Sequence, residues 1–148
     1  VTLSFIFTGC QRRSDQDSPI QLWVEKWDPL VGTTYRDGTY EDQQVTLKAS
    51  FNTMASPVTI AYAIIREITV DAYVGGNKVS SFTIKTDFTI SANGSNTLKN
   101  FPLNWRSLNT YLNNHGGVSE LTFKVQFKGE DSSGKSIYLE SEFTVFAI

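Results

Sequence analysis

The chain holds one histidine and one cysteine, and these two residues bound most of the chemistry it could carry. His115 lies in Asn113-Asn114-His115-Gly116-Gly117, which reads as a loop. A triad base needs a nucleophile and an orienting partner, and a histidine metal site needs further ligands. With no second histidine and no thiol after Cys10, His115 is expected to be a solvated loop residue. Neighbouring carboxylates occur as Asp15 with Asp17, Glu41 with Asp42, and Glu130 with Asp131. Oxygen-rich loops of this kind hold calcium when several converge, but none has the EF-hand spacing, and Asp131-Ser132-Ser133-Gly134 is expected as turn chemistry. A glycosidase-type acid pair is defined by separation in space, so spacing along the chain leaves it open. The residue types therefore predict no catalytic residue, no metal and no cofactor.

The aromatic residues offer a different chemistry. On the segment Ile20 to Trp27, Trp23 and Trp27 share one face with Gln21 and Glu25, while Ile20, Leu22 and Val24 take the other. Strict alternation thus puts both indoles on a surface, where exposed rings could stack on sugars. Tyr35 and Tyr40, around Arg36-Asp37-Gly38, extend this into an aromatic and polar platform of Trp23, Trp27, Tyr35 and Tyr40. The competing expectation is core packing, because tryptophan is usually covered by neighbouring loops or a second sheet.

Charge excludes one class of partner. The formal net charge is -2, and Lys48, Lys85, Lys99, Lys124 and Lys128 are scattered, so no groove tracks a phosphate backbone and nucleic acid is not expected. The 148 residues, 40% of them hydrophobic, suffice for one domain with a core of its own. A single cysteine rules out an internal disulfide, which an exported domain of this size does not need.

Residues 1 to 9, Val-Thr-Leu-Ser-Phe-Ile-Phe-Thr-Gly, form an apolar run ending in a small residue before Cys10, and the polar stretch Gln11 to Pro19 follows. This is the order of a signal h-region, a cleavage site and a tether. The run is too short to cross a bilayer, which takes about 20 apolar residues. Phe7-Thr8-Gly9-Cys10 resembles the lipobox of bacterial lipoproteins, although Phe7 stands where leucine is usual. The resemblance implies removal of residues 1–9, lipidation of Cys10, and a membrane as partner through the lipid anchor. Gln11 rather than Asp after the cysteine implies an outer-membrane address, periplasmic or surface-exposed. An alternative is that Val1 to Thr8, whose Val1, Leu3, Phe5 and Phe7 alternate with Thr2, Ser4, Ile6 and Thr8, is a strand exchanged with a neighbouring subunit, as in a filament or pilus.

The elements that must position these residues read as strands. Residues 10–19 are expected as the lipidated cysteine and a flexible tether, and 20–148 as the domain. Period-two alternation predicts strands over Val45 to Phe51, Glu67 to Val74, Phe82 to Ile90, Leu121 to Lys128 and Ile137 to Val145, with weaker ones at Ile20 to Trp27 and Val58 to Ile64. Gly129 to Lys135 is expected to turn the last two strands into a hairpin. Leu103, Leu108, Tyr111 and Leu112 have helical spacing with Gly116 as a stop, so a short helix is expected to cross between sheets. About seven strands and one crossover helix predict an all-β, antiparallel, immunoglobulin-like sandwich. The half from Ile68 to Ile148 resembles fibronectin type III or immunoglobulin-like domains of bacterial surface proteins, through Leu121 to Lys128, the Gly129 to Lys135 turn and Glu142 to Val145. The expected role is a non-catalytic interaction or structural module of the cell envelope. The alternative is a carbohydrate-binding module, with a protein or a glycan as partner.

Overall fold

The computed structural model describes residues 11–12, 18–51 and 59–148. Cys10 and the apolar run before it lie outside the described residues, as does the start of the strand expected at Val58. The chain is all-β with one short helix, built as two sheets. The strands are β1 (Gln11–Arg12), β2 (Ile20–Asp28), β3 (Gly32–Thr34), β4 (Gln44–Phe51), β5 (Tyr62–Val74), β6 (Asn77–Ser91), β7 (Ser95–Leu98), β8 (Glu120–Asp131) and β9 (Ser136–Ala147), with α1 (Arg106–Asn114) between β7 and β8.

Among the described residues a six-stranded sheet runs β1-β9-β8-β5-β6, with β3 also on β9, and curls as a half-barrel over the three-stranded sheet β2-β4-β7. One part of the expectation needs correction. The large sheet is mixed rather than antiparallel throughout, because Gly32, Thr33 and Thr34 run parallel to Val145, Phe146 and Ala147. Two residues of the expected tether are also strand, since Gln11 pairs with Ser141 and Arg12 with Glu140.

The core lies between the sheets and comes from the alternation itself. Leu121, Phe123, Val125 and Phe127 of β8, and Ile137, Leu139, Phe143 and Val145 of β9, are buried from one side, facing Ile20, Leu22 and Val24 of β2 and Val45, Leu47 and Ala49 of β4. The strands expected at Val58 to Ile64 and Glu67 to Val74 merge into β5. A register shift between Ile65 and Glu67 lets the chain stay extended while inward positions move from Ala63 and Ile65 to Ile68, Val70 and Ala72. Gly75 and Gly76, at φ 57° and 86°, close the β5–β6 hairpin in a conformation that only glycine adopts freely.

Leu108 and Leu112 bury one face of α1, which carries the chain from the small sheet to the large one as expected. Arg36 fixes its far end: the guanidinium donates to the carbonyls of Leu112, His115, Gly116 and Val118, in the last turn and the loop that follows it.

Candidate binding site

Three neighbouring strands of the large sheet bring six polar side chains to one place on its outer face. In one row, Asp71 of β5 stands opposite Lys124 of β8, which stands opposite Glu142 of β9. In the next row Gln126 stands opposite Glu140. With Tyr73 and Ser141 these residues line a depression of about 260 Å³. Asp71 is buried, accepts a hydrogen bond from Ser81 Oγ at 2.6 Å, and has Lys78 Nζ 3.9 Å away. Glu140 Oε2 accepts from Tyr138 Oη at 2.8 Å and from Gln126 Nε2 at 3.4 Å, which fixes its carboxylate at the rim.

Lys124 is the distinctive member. It sits in register between two carboxylates, yet its Nζ lies 4.4 Å from the ring centroid of Tyr73, and among the described residues no carboxylate reaches ion-pairing distance of it. The ammonium thus keeps hydrogen-bonding capacity while resting on an aromatic face. The depression offers carboxylate acceptors, an amide that both donates and accepts, a lysine donor and a ring edge. That set matches a ligand with several hydroxyl groups.

The expected aromatic platform is not assembled. Trp27 requires a correction: it is buried in the core, 2% exposed, with its ring stacked on Phe143 at 4.0 Å between centroids. The cause is a bulge in β2. A register shift between Val24 and Lys26 puts Glu25 and Lys26 both outward and returns Trp27 to the inner face. Trp23, before the bulge, stays on the outer side, half-buried, with Lys48 Nζ 6.0 Å from its ring.

Tyr35 and Tyr40 belong to a loop on the large sheet, where Tyr40 bridges Thr34. Tyr40 is 39% exposed. The Tyr35 hydroxyl donates to Glu41 Oε2 at 2.6 Å, and this bond, with burial and the charges of Glu41 and Asp37, raises the phenol above its ordinary pKa. Asp37 accepts from Thr39 Oγ1 at 2.6 Å and Thr39 N at 2.9 Å, which hold its carboxyl below the usual range. Since Arg36 of the same loop grips the end of α1, this segment works as a brace. Among the described residues no ring contact joins Trp23 to Tyr35 or Tyr40.

His115 is exposed and stacks on Tyr111 at 4.0 Å, with Nδ1 2.9 Å from the Tyr111 carbonyl. Asp131 is buried and closes its own turn: Oδ1 accepts from Ser133 N, Ser133 Oγ and Lys135 N, while Oδ2 accepts from Ser18 Oγ. Both oxygens are thereby taken up by the chain, as turn chemistry requires. Among the described residues no group of three or more His, Cys, Asp or Glu side chains could hold a metal. No helix among them is long and apolar enough to cross a membrane.

The sequence reading passed over Asp71, Tyr73, Lys124, Gln126, Glu140 and Glu142 because each appears there only as the solvent-side alternate of a strand. The signal that finds them is the register of β5, β8 and β9.

No family model matches the chain, and no curated protein matches it. Solved structures do. The solution structure of a protein provisionally assigned to the late embryogenesis abundant (LEA) proteins overlaps 86% of this chain and 70% of its own, with a TM-score of 0.50 and 13% identity. At that identity the likeness is one of fold. A crystal structure of a protein from Archaeoglobus fulgidus overlaps 90% of this chain and 97% of its own at 15% identity, with a TM-score of 0.37 that bears no argument.

Proposed function

We propose that this chain is a non-catalytic binding module of the bacterial cell envelope, held at the outer membrane by acyl chains on Cys10, and that its ligand is a glycan seated on the outer face of the large sheet. The observation that carries the ligand side is the depression lined by Asp71, Tyr73, Lys124, Gln126, Glu140 and Glu142, whose donors and acceptors stand in cross-strand register. The motif Phe7-Thr8-Gly9-Cys10 supports the anchor. Two acyl chains hold a protein stably on a bilayer where one does not. Within the two-sheet class we read the arrangement as a curled relative of immunoglobulin-like sandwiches, supported by the packing of β2 and β4 on β8 and β9 around Trp27 and Phe143.

Glycan-array screening of the purified chain, followed by calorimetry on the best ligand, tests the site. Gln126→Ala and Glu142→Gln are expected to weaken binding by about tenfold or more with unchanged melting temperature, whereas Trp23→Ala leaves it unaltered. Binding that survives both depression variants and falls with Trp23→Ala would move the site to the small sheet. Cys10→Ala is expected to release the folded protein from the membrane fraction. Retention of that variant after a salt wash would overturn the anchor.

A further inference from the structure

The large sheet ends on β6, which pairs with β5 on one side and, among the described residues, with no strand on the other. This edge is fifteen residues long and carries apolar side chains at its rim: Phe82 is 37% exposed, and Ile84 and Phe88 are only half-buried. A long edge of this kind is a template for another strand.

Its sequence specifies which strand. Residues 81–91 read Ser-Phe-Thr-Ile-Lys-Thr-Asp-Phe-Thr-Ile-Ser, which is self-complementary about Thr86. In an antiparallel pair of two such strands centred on Thr86, Thr86 meets Thr86 of the other copy, Lys85 meets Asp87, and Ile84 meets Phe88. Opposite charges, threonine pairs and aromatic with β-branched residues are the combinations that stabilise antiparallel neighbours. The register is unique. Moving the centre by one residue either way sets Lys85 or Asp87 against its own copy, and half-residue centres pair an inward side chain with an outward one.

The surroundings favour the same pairing. Lys85 already contacts Glu67 on β5, and Asp87 contacts Arg66 at 2.7 Å. Joining two copies would therefore order Glu67, Lys85, Asp87 and Arg66 into a row of alternating charge across the new seam. The free edge is also bounded: Ser80 is engaged by Trp105 and Ser107, and the Thr89 carbonyl accepts from Asn96 Nδ2 at 2.8 Å, which confines the paired segment to the residues around Thr86.

We propose that β6 is a homodimer interface, in which two copies join their large sheets edge to edge through antiparallel β6 strands centred on Thr86. The paired segment around Thr86 is short by interface standards, so the dimer is a weak one that forms with rising concentration. Analytical ultracentrifugation of the full chain in reducing buffer, up to about 0.5 mM, is expected to show a species of twice the 16.6 kDa chain mass. Lys85→Asp and Asp87→Lys, each of which places like charges at both contacts, are expected to weaken it at least about tenfold. Mixing the two single variants restores complementarity at both contacts and is expected to give a heterodimer, as the double variant restores the homodimer. Circular dichroism confirms that each variant is folded. A monomer throughout the range would overturn the proposal, and so would a dimer indifferent to the single changes or not regained on mixing.

Discussion

Trp27 Nε1 donates to Ser141 Oγ at 3.1 Å, tying β2 of the small sheet to β9 of the large one through a bond buried at both ends. Ser141→Ala leaves the indole N–H without that acceptor and is expected to cost about 1–3 kcal/mol. Trp27→Ala also opens a cavity beside Phe143 and Phe101 and is expected to cost about 3–5 kcal/mol. Trp23→Ala, on the outer face, is expected to cost less than about 1 kcal/mol. Urea midpoints compare the three. Equal losses for the two tryptophans would contradict the bulge that separates their faces.

Asp131 makes stability depend on acid. Burial pushes its carboxyl upward in pKa, but hydrogen bonds from Ser133 Oγ, Ser18 Oγ and the amides of Lys135 and Ser133 outweigh this and hold it below the ordinary value. A lowered folded value means that the unfolded chain binds this proton more tightly. The stabilisation is therefore fully present above the unfolded value of about 3.9, and is lost as pH falls through the folded one. Unfolding free energies measured from neutral pH downward should show a shallower acid limb for Asp131→Asn, with about 1–3 kcal/mol already lost at pH 7.

Arg36 holds four carbonyls at and beyond the last turn of α1. Arg36→Ala is expected to destabilise the domain by about 1.5–3 kcal/mol, since hydrogen bonds to a charged donor are involved. Arg36→Lys should recover little, because an ammonium lacks the planar fork that reaches several acceptors at once. Thermal melts give the ranking. Amide exchange at Asn113 and Asn114 should accelerate in the alanine variant before the sheet amides do.

Gly129 lies opposite Ile65 at the β5 register shift, and a Cβ there would come within 1.9 Å of the Ile64 carbonyl oxygen and 2.9 Å of the Ile65 Cα. Backbone cannot rotate away as a side chain can. Gly129→Ala is expected to cost about 3 kcal/mol or more, whereas Gly117→Ala, with open space around it, should be nearly neutral. Chemical denaturation of the two variants checks the contrast.

Legibility in the sequence followed the regularity of the backbone. β8 and β9 alternate without interruption, so their buried and exposed residues could be read directly, and the turn at Gly129 to Lys135 carried its own composition. Trp27 takes the core position that tryptophan's size already suggested, and alternation alone points it outward because one bulge, which leaves no mark in the order of side chains, reverses the face of everything after it. β3 and β7 were missed since three and four residues are too few to display a period, and Gly32-Thr33-Thr34 becomes a strand only by lying beside Val145 to Ala147. The depression was invisible for a related reason: it depends on which residues of β5, β8 and β9 stand opposite one another, a relation between distant segments.

β9 is the last of these strands in chain order, yet it is the partner of β8, β1 and β3. During synthesis the earlier strands can form β5–β6 and β2–β4, but among the described residues β1 and β3 lack their ladder partner until Ser136 to Ala147 has been made. Closure thus depends on contacts of long sequence separation, which form slowly. The small sheet and the β5–β6 hairpin are thus local constructions, whereas the large sheet acquires its β8, β1 and β3 neighbours together, through a single strand.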